Sequence, residues 1–193
     1  MQNEGAPLDE LVVGARSGDE GALGELYRLL QPGLLGFLRA LAPDAAEDLA
    51  ADAWVQAAGR LGDFTDDGAG FRRLLFTIAR RRAVDHHRAR RRRRTDPVDA
   101  GDLAGLRAPD DPAATVVDLD AGRAAVERIV GLLPPAQAEV VVLRVVSGLS
   151  VPEVAAVVGR SPAAVSVLLS RALRRLADRL GDRPRSAPES SRR

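Results

Sequence analysis

The residues of this chain best suited to chemistry are arginines, gathered in one internal stretch that reads FRRLLFTIARRRAVDHHRARRRRR from Phe71 to Arg94. Between Arg80 and Arg94 there are nine arginines and one acidic residue, a net charge of +8 on a chain whose total is only +1. The residues outside this run therefore sum to −7. A concentrated positive field on a nearly neutral chain is typical of a surface that binds a polyanion.

Nucleic acid is the favoured partner of this arginine run, and an acidic protein or a membrane surface is the alternative. Arginine suits paired contacts to phosphate and stacking on bases. The chain contains no lysine, however, so genome composition is another explanation for the use of arginine in place of lysine. A solvated helix or a basic tail is the simplest explanation of a charge run. It is disfavoured because the run is internal and continues a strongly apolar segment.

No pattern in the sequence indicates catalysis. Asp85, His86 and His87 are adjacent, and neighbouring side chains on a helix point about 100° apart, so the two histidines cannot share a metal ion without distortion. There is no glycine-rich phosphate loop and no Ser/His/Asp set in a recognisable frame. We expect no catalytic residue, no metal site and no cofactor, and the chain is not predicted to be an enzyme.

A helix must position these arginines. The apolar residues of the stretch fall on one broad side of a 3.6-residue helix: Phe71, Leu74, Leu75, Phe76, Ile78, Ala79 and Ala83. The other side carries Arg73, Arg80, Arg81, Val84, His87 and Arg88. One helix is therefore predicted to pack into a core while it presents a cationic face outward.

Composition indicates an all-α fold. Aromatic residues make up 3% of 193 residues, so any core must consist mainly of Leu, Val and Ala. The absence of cysteine excludes disulfides and thiolate metal sites, which is typical of a cytosolic protein. No apolar run approaches membrane-spanning length, and the first residues are acidic, unlike a signal peptide. We expect a soluble, cytoplasmic protein without membrane insertion.

The first third of the chain is predicted to be helical and acidic. A short helix is expected over 8–16, and Asp19 caps a longer one that Pro32 should kink or restart. Pro43-Asp44 opens a helix over 44–61. Its predicted buried stripe is Ala46, Leu49, Ala53, Ala57 and Leu61.

Asp48, Asp52 and Gln56 recur every four residues along that third helix and form an acidic and polar ridge. Up to Gly70 the chain has thirteen acidic residues and four arginines, a net charge of −9. An acidic region followed directly by a basic helix predicts two surfaces for two different partners.

Two irregular segments flank the basic helix. Gly62–Gly70 is an acidic loop whose Phe64 is interpreted as a hydrophobic plug in preference to a base-stacking residue. Residues 95–120 carry seven aspartates and one arginine and are predicted to be a flexible acidic linker. It could pair with the neighbouring arginines or follow a basic channel in a partner, and a plain spacer is an equal alternative.

The second half is predicted to be a helix-turn-helix domain. A helix is expected over 120–132, and the apolar run Val140–Val146 is a buried helix or, alternatively, a strand. Ser150 and Glu153 have the spacing of a capping box. Gly159 makes a turn, after which Ser161-Pro162 begins a longer helix with an arginine-rich end. Residues 182–193 are predicted to be a disordered tail.

Together the two halves resemble the extracytoplasmic-function sigma factors, which are promoter-recognition subunits of bacterial RNA polymerase. AEDLAADAWVQA (46–57) is similar to their polymerase-clamp helix, and FRRLLFTIARRRAVDHHRARRRR (71–93) to their −10 promoter helix. LPPAQAEVVVLRVVSGLSVPEVAAVVGRSPAAVSVLLSRALRRL (133–176) is similar to their −35-binding domain. The resemblance implies four parts: a clamp-binding and −10-binding domain (1–94), the linker (95–120), a −35-binding domain (121–181) and the tail (182–193).

The resemblance also implies roles for residues and partners. Core RNA polymerase would be contacted by Asp48, Asp52 and Gln56. The −10 element would be contacted by Phe64, Arg72, Arg73, Arg80, Arg81, His87 and Arg88, with a flipped base held by the 62–70 loop. The −35 element would be read by Ser161, Ala164, Val167, Leu168, Arg171, Arg174 and Arg175. An inhibitory anti-sigma factor is implied as a further partner.

The second helix of the helix-turn-helix departs from the family pattern of a Lys and an Arg in its first turns. A helical projection places Val165, Leu169, Ala172, Leu173 and Leu176 inward. It places Ala164, Val167, Leu168 and Arg171 outward, so the groove-facing tip is largely apolar. Weak −35 binding through Arg171 and thymine methyl groups is one outcome, and a protein interface is the other.

The sequence therefore predicts a sigma factor that directs polymerase to −10 and −35 promoter elements and aids promoter melting. One alternative is a stand-alone helix-turn-helix regulator that binds duplex DNA by itself. The other is an RNA-binding or scaffold protein that uses the arginine run.

Overall fold

The computed structural model describes residues 5–95, 126 and 131–181, and within that part every regular element is a helix. The first half contains α1 (Gly5–Arg16), α2 (Glu20–Leu41), α3 (Ala46–Ala58) and α4 (Gly68–Thr95). The second half contains α5 (Pro135–Val141), a wider π-helical turn (Val142–Val146), α6 (Val151–Val158) and α7 (Pro162–Gly181). The all-α prediction is confirmed. The predicted linker after Thr95, most of the helix predicted over 120–132, and the tail lie outside the described residues.

Helix α2 begins where the sequence predicts and continues past its proline. The Asp19 carboxylate accepts hydrogen bonds from the backbone N–H groups of Gly21, at 2.8 Å, and Ala22, at 3.2 Å. The helix does not restart at Pro32, because α2 is one helix from Glu20 to Leu41, and the alternative of a kink there stays a prediction. Pro32 is solvent-exposed, and buried leucines before and after it hold both parts of the helix against the core.

Helix α3 is shorter than predicted, because residues 43–45 form a turn and the helix ends at Ala58. The predicted buried stripe is confirmed in full: Ala46, Leu49, Ala53, Ala57 and Leu61 are all at most 8% exposed. The small alanines let α3 lie close to α2 and α4. The helix therefore presents its polar ridge to solvent on the opposite side.

The helix-turn-helix is confirmed in its local details. The Ser150 side chain accepts from the Glu153 N–H, and the Glu153 carboxylate accepts from the Ser150 N–H at 2.8 Å, which completes the capping box. Gly159 ends α6 with φ +69°, a left-handed conformation that favours glycine. Ser161 accepts from the Ala164 N–H at 3.2 Å at the start of α7. The two helices bend by 102° relative to each other, within the range of this motif.

Among the described helices, none alone has the length and apolar character needed to cross a membrane. Only the bent pair Val151–Val158 and Pro162–Arg179 meets that requirement of length and composition jointly.

The two halves pack against each other and share one apolar core. A single cluster of buried side chains includes residues of α4, such as Leu75 and Phe76, together with Leu143, Leu149 and Val154 of the second half. A smaller cluster lies between α5 and α7. The predicted division of the chain at residues 94 and 121 stays a prediction, since the described residues on both sides contribute to the same core.

Two glycines of α2 allow the second half to approach closely. A Cβ atom at Gly36 would lie 2.7 Å from Cγ1 of Val146, and one at Gly33 would lie 3.1 Å from Cα of Ser147. The Ser147 hydroxyl donates to the Gly33 carbonyl at 3.0 Å. The π-helical turn and the residue after it therefore rest directly on the α2 backbone.

Glycine-to-alanine changes in α2 test this contact. At Gly24 a Cβ would meet nothing closer than an arginine nitrogen at 4.0 Å, so Gly24→Ala should raise the free energy of unfolding by about 0.5–1 kcal/mol through helix propensity. Gly36→Ala gains the same propensity but overpacks against Val146, which costs about 1–3 kcal/mol. Urea denaturation should therefore rank Gly24→Ala as the more stable of the two. Equal stabilisation by both changes would contradict the close packing of the halves.

Candidate nucleic-acid interface

The first half of α4 is anchored in the core as the sequence predicts. Of its predicted apolar side, all but one residue are at most 7% exposed, and Leu74 is half-buried. Four rings form a continuous series from α2 to α4, with centroid separations of 5.1 Å for Tyr27–Trp54, 6.2 Å for Trp54–Phe71 and 5.8 Å for Phe71–Phe64. This packing fixes the rotation of α4 and so decides where its arginines point.

Phe64 lies at the end of this series and is half-buried. Its ring meets Phe71 edge-on, with an interplanar angle of 83°. In this conformation the ring closes the core beneath the loop between α3 and α4, which is the arrangement expected of a hydrophobic plug. The base-contacting role of Phe64 stays a prediction.

Several arginines of α4 have a carboxylate partner from the same half of the chain. Arg73 pairs with Asp66 at 2.5 Å and Arg88 with Asp85 at 3.5 Å. Arg90 and His86 both contact Asp44, the histidine at 3.4 Å. Burial would raise the pKa of Asp44, but its backbone hydrogen bond, Arg90 and His86 together hold it below the ordinary value. The acidic first third thus neutralises much of the basic helix.

Arg82 joins the predicted polymerase ridge to the basic helix, a link that the sequence analysis missed. Its guanidinium lies 3.8 Å from the Asp52 carboxylate. With its carboxamide oxygen turned toward α4, Gln56 accepts from Nε of Arg82 at 2.7 Å. Asp48 is exposed, and within the described residues its carboxylate has no hydrogen-bond donor and no ion-pair partner. The (i, i+4) spacing of Asp48, Asp52 and Gln56 predicted that this ridge faces solvent. It did not predict that Arg82 of α4 lies beside the ridge.

Arg81 differs from the other α4 arginines. It is exposed and has no carboxylate within 4 Å among the described residues. It lines a cavity of about 180 Å³ with Arg60, Gln56 and Arg82. Residues predicted for polymerase and residues predicted for DNA therefore line the same depression.

Arg72 and Arg80 take their partners from the second half. Nε of Arg72 donates to the Glu153 carboxylate at 2.8 Å, and a second guanidinium nitrogen lies 2.7 Å from the same oxygen. Nε of Arg80 donates to one oxygen of Glu139 at 2.6 Å, and Nη2 donates to the other at 3.4 Å. In the sequence Glu153 is recognisable only as a capping residue, and no pattern distinguishes Glu139.

Glu153 is the buried carboxylate of the site, at 6% exposure. Burial would raise its pKa, but hydrogen bonds from the Ser150 hydroxyl and backbone N–H and the charge of Arg72 outweigh that effect, so the pKa lies below the ordinary value of 4.5. The ionised form is therefore the one that the fold stabilises.

His87 has a different contact from the one the sequence suggests. Its Nε2 lies 2.7 Å from the Leu41 carbonyl at the end of α2. Together with the contact between His86 and Asp44, this bond holds the turn between α2 and α3 against α4. The proposed DNA contact of His87 stays a prediction.

The predicted orientation of α7 is right along its centre and wrong on its flanks. Val165, Ala172 and Leu176 are buried as expected. Leu173 was placed inward but is 61% exposed. Leu168 was placed outward but is half-buried and packs against the shared core. The two leucines lie on opposite flanks of the buried stripe, and only the neighbouring helices decide which flank is covered.

The remaining predicted −35 residues lie along one exposed side of α7. Val167 is 48% exposed, Ser161 and Arg171 are exposed, and Ala164 is half-buried. Further along, an open depression of about 500 Å³ is lined by Gln137, Arg171, Arg174, Arg175, Asp178 and Arg179. Within the described residues none of these arginines has a carboxylate within 4 Å, and Gln137 Oε1 is buried without a donor.

Nowhere in residues 5–95, 126 and 131–181 do three or more His, Asp or Glu residues form a group that could hold a metal ion.

Comparisons with known proteins give two family matches in the order of the two halves. Residues 26–93 match the model of Sigma-70 region 2, and residues 123–176 match that of Sigma-70, region 4. The ECF RNA polymerase sigma factor BldN of Streptomyces coelicolor is 34% identical over 186 residues, covering 93% of this chain and 68% of BldN. The ECF RNA polymerase sigma factor SigD of Mycobacterium tuberculosis is 32% identical, covering 93% of this chain and 87% of SigD.

Two solved structures are similar to the whole fold. CnrH in complex with the cytosolic domain of CnrY has a TM-score of 0.65 and 28% identity, covering 91% of this chain and 97% of CnrH. The sigma factor RpoE in complex with the anti-sigma factor NepR from Bartonella quintana has a TM-score of 0.59 and 26% identity, covering 83% of this chain and 98% of RpoE.

Glu153→Gln tests the charge of the buried carboxylate, because glutamine keeps the capping geometry but cannot ionise. The folded-state pKa of Glu153 is depressed, so its contribution to stability is present above pH 4.5 and is lost as the pH falls through the folded-state value. At pH 7 the variant should be less stable than the parent. The difference should shrink in acid.

Guanidinium denaturation of the parent and of Glu153→Gln at pH 7, 5 and 3.5 measures this difference. Comparing the two chains cancels the titration of every other carboxylate that behaves alike in both. A stability difference that stays constant from pH 7 to 3.5 would contradict an ionised Glu153.

Proposed function

Because this chain belongs to the extracytoplasmic-function sigma factors of the sigma-70 family, which act with RNA polymerase in promoter-specific initiation, we propose that it directs core polymerase to a −10 and a −35 element and helps to melt the −10 duplex. The observation that carries the proposal is the order of two family matches, region 2 over a cationic helix and region 4 over a helix-turn-helix. The chain itself supplies binding and no catalysis. Its site of action is the cytoplasm, with the polymerase.

The exposed ridge of α3 is the proposed contact with polymerase. Asp48 and Asp52 are exposed and Gln56 is half-buried, so all three can be approached from one side. Val55, at 74% exposure, lies one turn beyond Asp52 and adds an apolar residue to this surface. An apolar residue surrounded by polar ones is typical of a protein interface.

The arginines of α4 are the proposed contact with the −10 element, together with Phe64, His87 and the loop before the helix. Arg72, Arg73, Arg80, Arg81 and Arg88 suit a strand whose phosphates face the helix. Capture of an unstacked base would offset a few kcal/mol of the melting cost.

Within α7 we propose a division of labour between its two ends. Ser161, Ala164, Val167 and Arg171 belong to the tip that enters the major groove, whereas Leu168 packs against the shared core. Arg174 lies twelve residues beyond Pro162, about 18 Å along the helix, while the groove is only about 12 Å wide and 8.5 Å deep. The later arginines therefore meet phosphates at the groove edge and contribute affinity without sequence preference.

An anti-sigma factor is also a proposed partner. RpoE was solved with the anti-sigma factor NepR, and CnrH with the cytosolic domain of CnrY. Similarity to these proteins over most of both chains supports a comparable inhibitory partner here.

Reconstitution with purified core polymerase tests the function. Asp48→Arg/Asp52→Arg should weaken core binding at least tenfold and reduce run-off transcription while helix content by circular dichroism is unchanged. Glu10→Arg/Glu25→Arg changes the net charge equally at two other exposed sites and should bind core normally. Undiminished core binding by the first variant would remove the clamp assignment. A chain that shifts promoter DNA alone and gains nothing from polymerase would instead be a stand-alone regulator.

A separate experiment tests whether Arg174 and Arg175 of α7 contact DNA phosphates. Arg174→Ala/Arg175→Ala should weaken binding to every duplex and flatten the slope of log K against log salt by about two, because two counterion-releasing contacts are lost. The ratio of affinities for a promoter and a scrambled duplex should not change. Arg16→Ala/Arg28→Ala is the matched control for charge. A loss of discrimination between the duplexes would assign base reading to Arg174 and Arg175.

A further inference from the structure

Two arginines of α4 are distinguished by where their partners come from. Arg72 and Arg80 pair with glutamates of the second half, whereas Arg73, Arg82, Arg88 and Arg90 pair with aspartates of the first half. The side chains of the pairs between halves are also the less exposed ones, 26% and 8% for Arg72–Glu153 and 31% and 17% for Arg80–Glu139. For Arg73–Asp66 the corresponding values are 40% and 49%. The pairs between halves are therefore the ones most shielded from water.

We propose that the second half inhibits the basic helix by holding Glu139 and Glu153 where DNA phosphates would lie. A carboxylate and a phosphate present oxygen acceptors of the same kind to a guanidinium fork. Glu139 uses both of its oxygens on Arg80, and Glu153 receives two nitrogens of Arg72. DNA and the second half therefore compete for the same two arginines. The inference rests on the proposed function only in assigning α4 to DNA.

Helices α5 and α6 cover the side of α4 that carries Arg72 and Arg80, so DNA and the second half compete for this side. Arg72 and Arg80 are eight residues apart, about 12 Å along α4, and α5 and α6 supply the two glutamates across this length. The Ser147 bond to Gly33 and the shared apolar core hold the halves together at the same time. A nucleic acid strand must therefore displace Glu153 and Glu139, and with them the second half, before it can bind both arginines.

The position of the Glu153 carboxylate is set by contacts within the second half alone. Its carboxylate accepts from the Ser150 hydroxyl at 2.6 Å and from the Ser150 backbone N–H at 2.8 Å, so its position is set by the start of α6. The capping box that begins the helix-turn-helix thus also presents a fixed negative charge to Arg72. A fixed acceptor loses little conformational entropy when the pair forms.

A reversible crosslink tests whether the closed arrangement blocks DNA. The chain has no cysteine, and a Cβ at Gly33 would lie 3.6 Å from Cβ of Ser147, within the range of disulfides. Gly33→Cys/Ser147→Cys can therefore be oxidised to lock the halves together and reduced to release them. Each single variant controls for the substitution itself.

The locked chain should lose the contribution of the two arginines to DNA binding. Fluorescence anisotropy with a mixed-sequence 20-nucleotide single strand, without polymerase, compares the crosslinked chain with and without Arg72→Ala/Arg80→Ala. In the oxidised state the two alanines should change nothing, whereas in the reduced state they should weaken binding several-fold. Equal effects of the alanines in both states would overturn the proposal.

Removing the two glutamate charges tests the competition directly. Glu139→Gln/Glu153→Gln keeps the side-chain shapes and the cap, and it should raise the polymerase-free affinity for the same strand about tenfold by enlarging the open fraction. Glu10→Gln/Glu25→Gln makes the same change in net charge at exposed sites. Its smaller effect measures the contribution of charge alone.

The gain must depend on the two arginines. The gain in affinity should vanish when Arg72→Ala/Arg80→Ala is added to the glutamine pair. A gain that persists without the two arginines would overturn the proposal. A gain no larger than that of the charge control would overturn it as well. If neither the parent nor the reduced cysteine variant initiates transcription with core polymerase, the proposed function fails. The polymerase-free measurements still decide the inhibition.

Discussion

The arginines of α4 require counter-charges, and the arrangement of the surrounding helices supplies them. The apolar side of the helix is held in the core, so the guanidinium groups beside it cannot move far from one another, and like charges three or four residues apart repel. Carboxylates come from the loop before α4, from α3 and from the turn that precedes α3. The acidic first third and the basic helix, which look like opposite features in the sequence, form one neutralised unit.

The second half completes this neutralisation with buried charge. Glu153 and Glu139 reach Arg72 and Arg80 because the π-helical turn packs directly on α2, where glycine leaves room for it. Separating the halves would expose apolar core and two ion pairs together. The arrangement therefore links the availability of the proposed −10 surface to the position of the helix-turn-helix, while the arginines at the end of α7 stay accessible.

The proposed polymerase and DNA surfaces are also neighbours within the first half. Arg82 lies between the α3 ridge and the basic helix, in contact with Asp52 and Gln56. A protein that engages this ridge must compete with Arg82 for its partners. Polymerase binding at the ridge would thereby release the Arg82 guanidinium on α4. In this way binding at the proposed polymerase surface could change the charge available at the proposed DNA surface.

The sequence by itself determined the all-α class, most of the helices with their caps, and the family. Short-range hydrogen bonds and apolar periodicity depend on neighbouring residues, so the capping box at Ser150, the cap at Asp19 and the buried side of α3 could all be predicted. Only the tertiary structure decided which flank of α7 is covered and which carboxylate meets which arginine. Glu153 and Arg72 are 81 positions apart in sequence, and their contact exists because two halves with separate local patterns bury one common core.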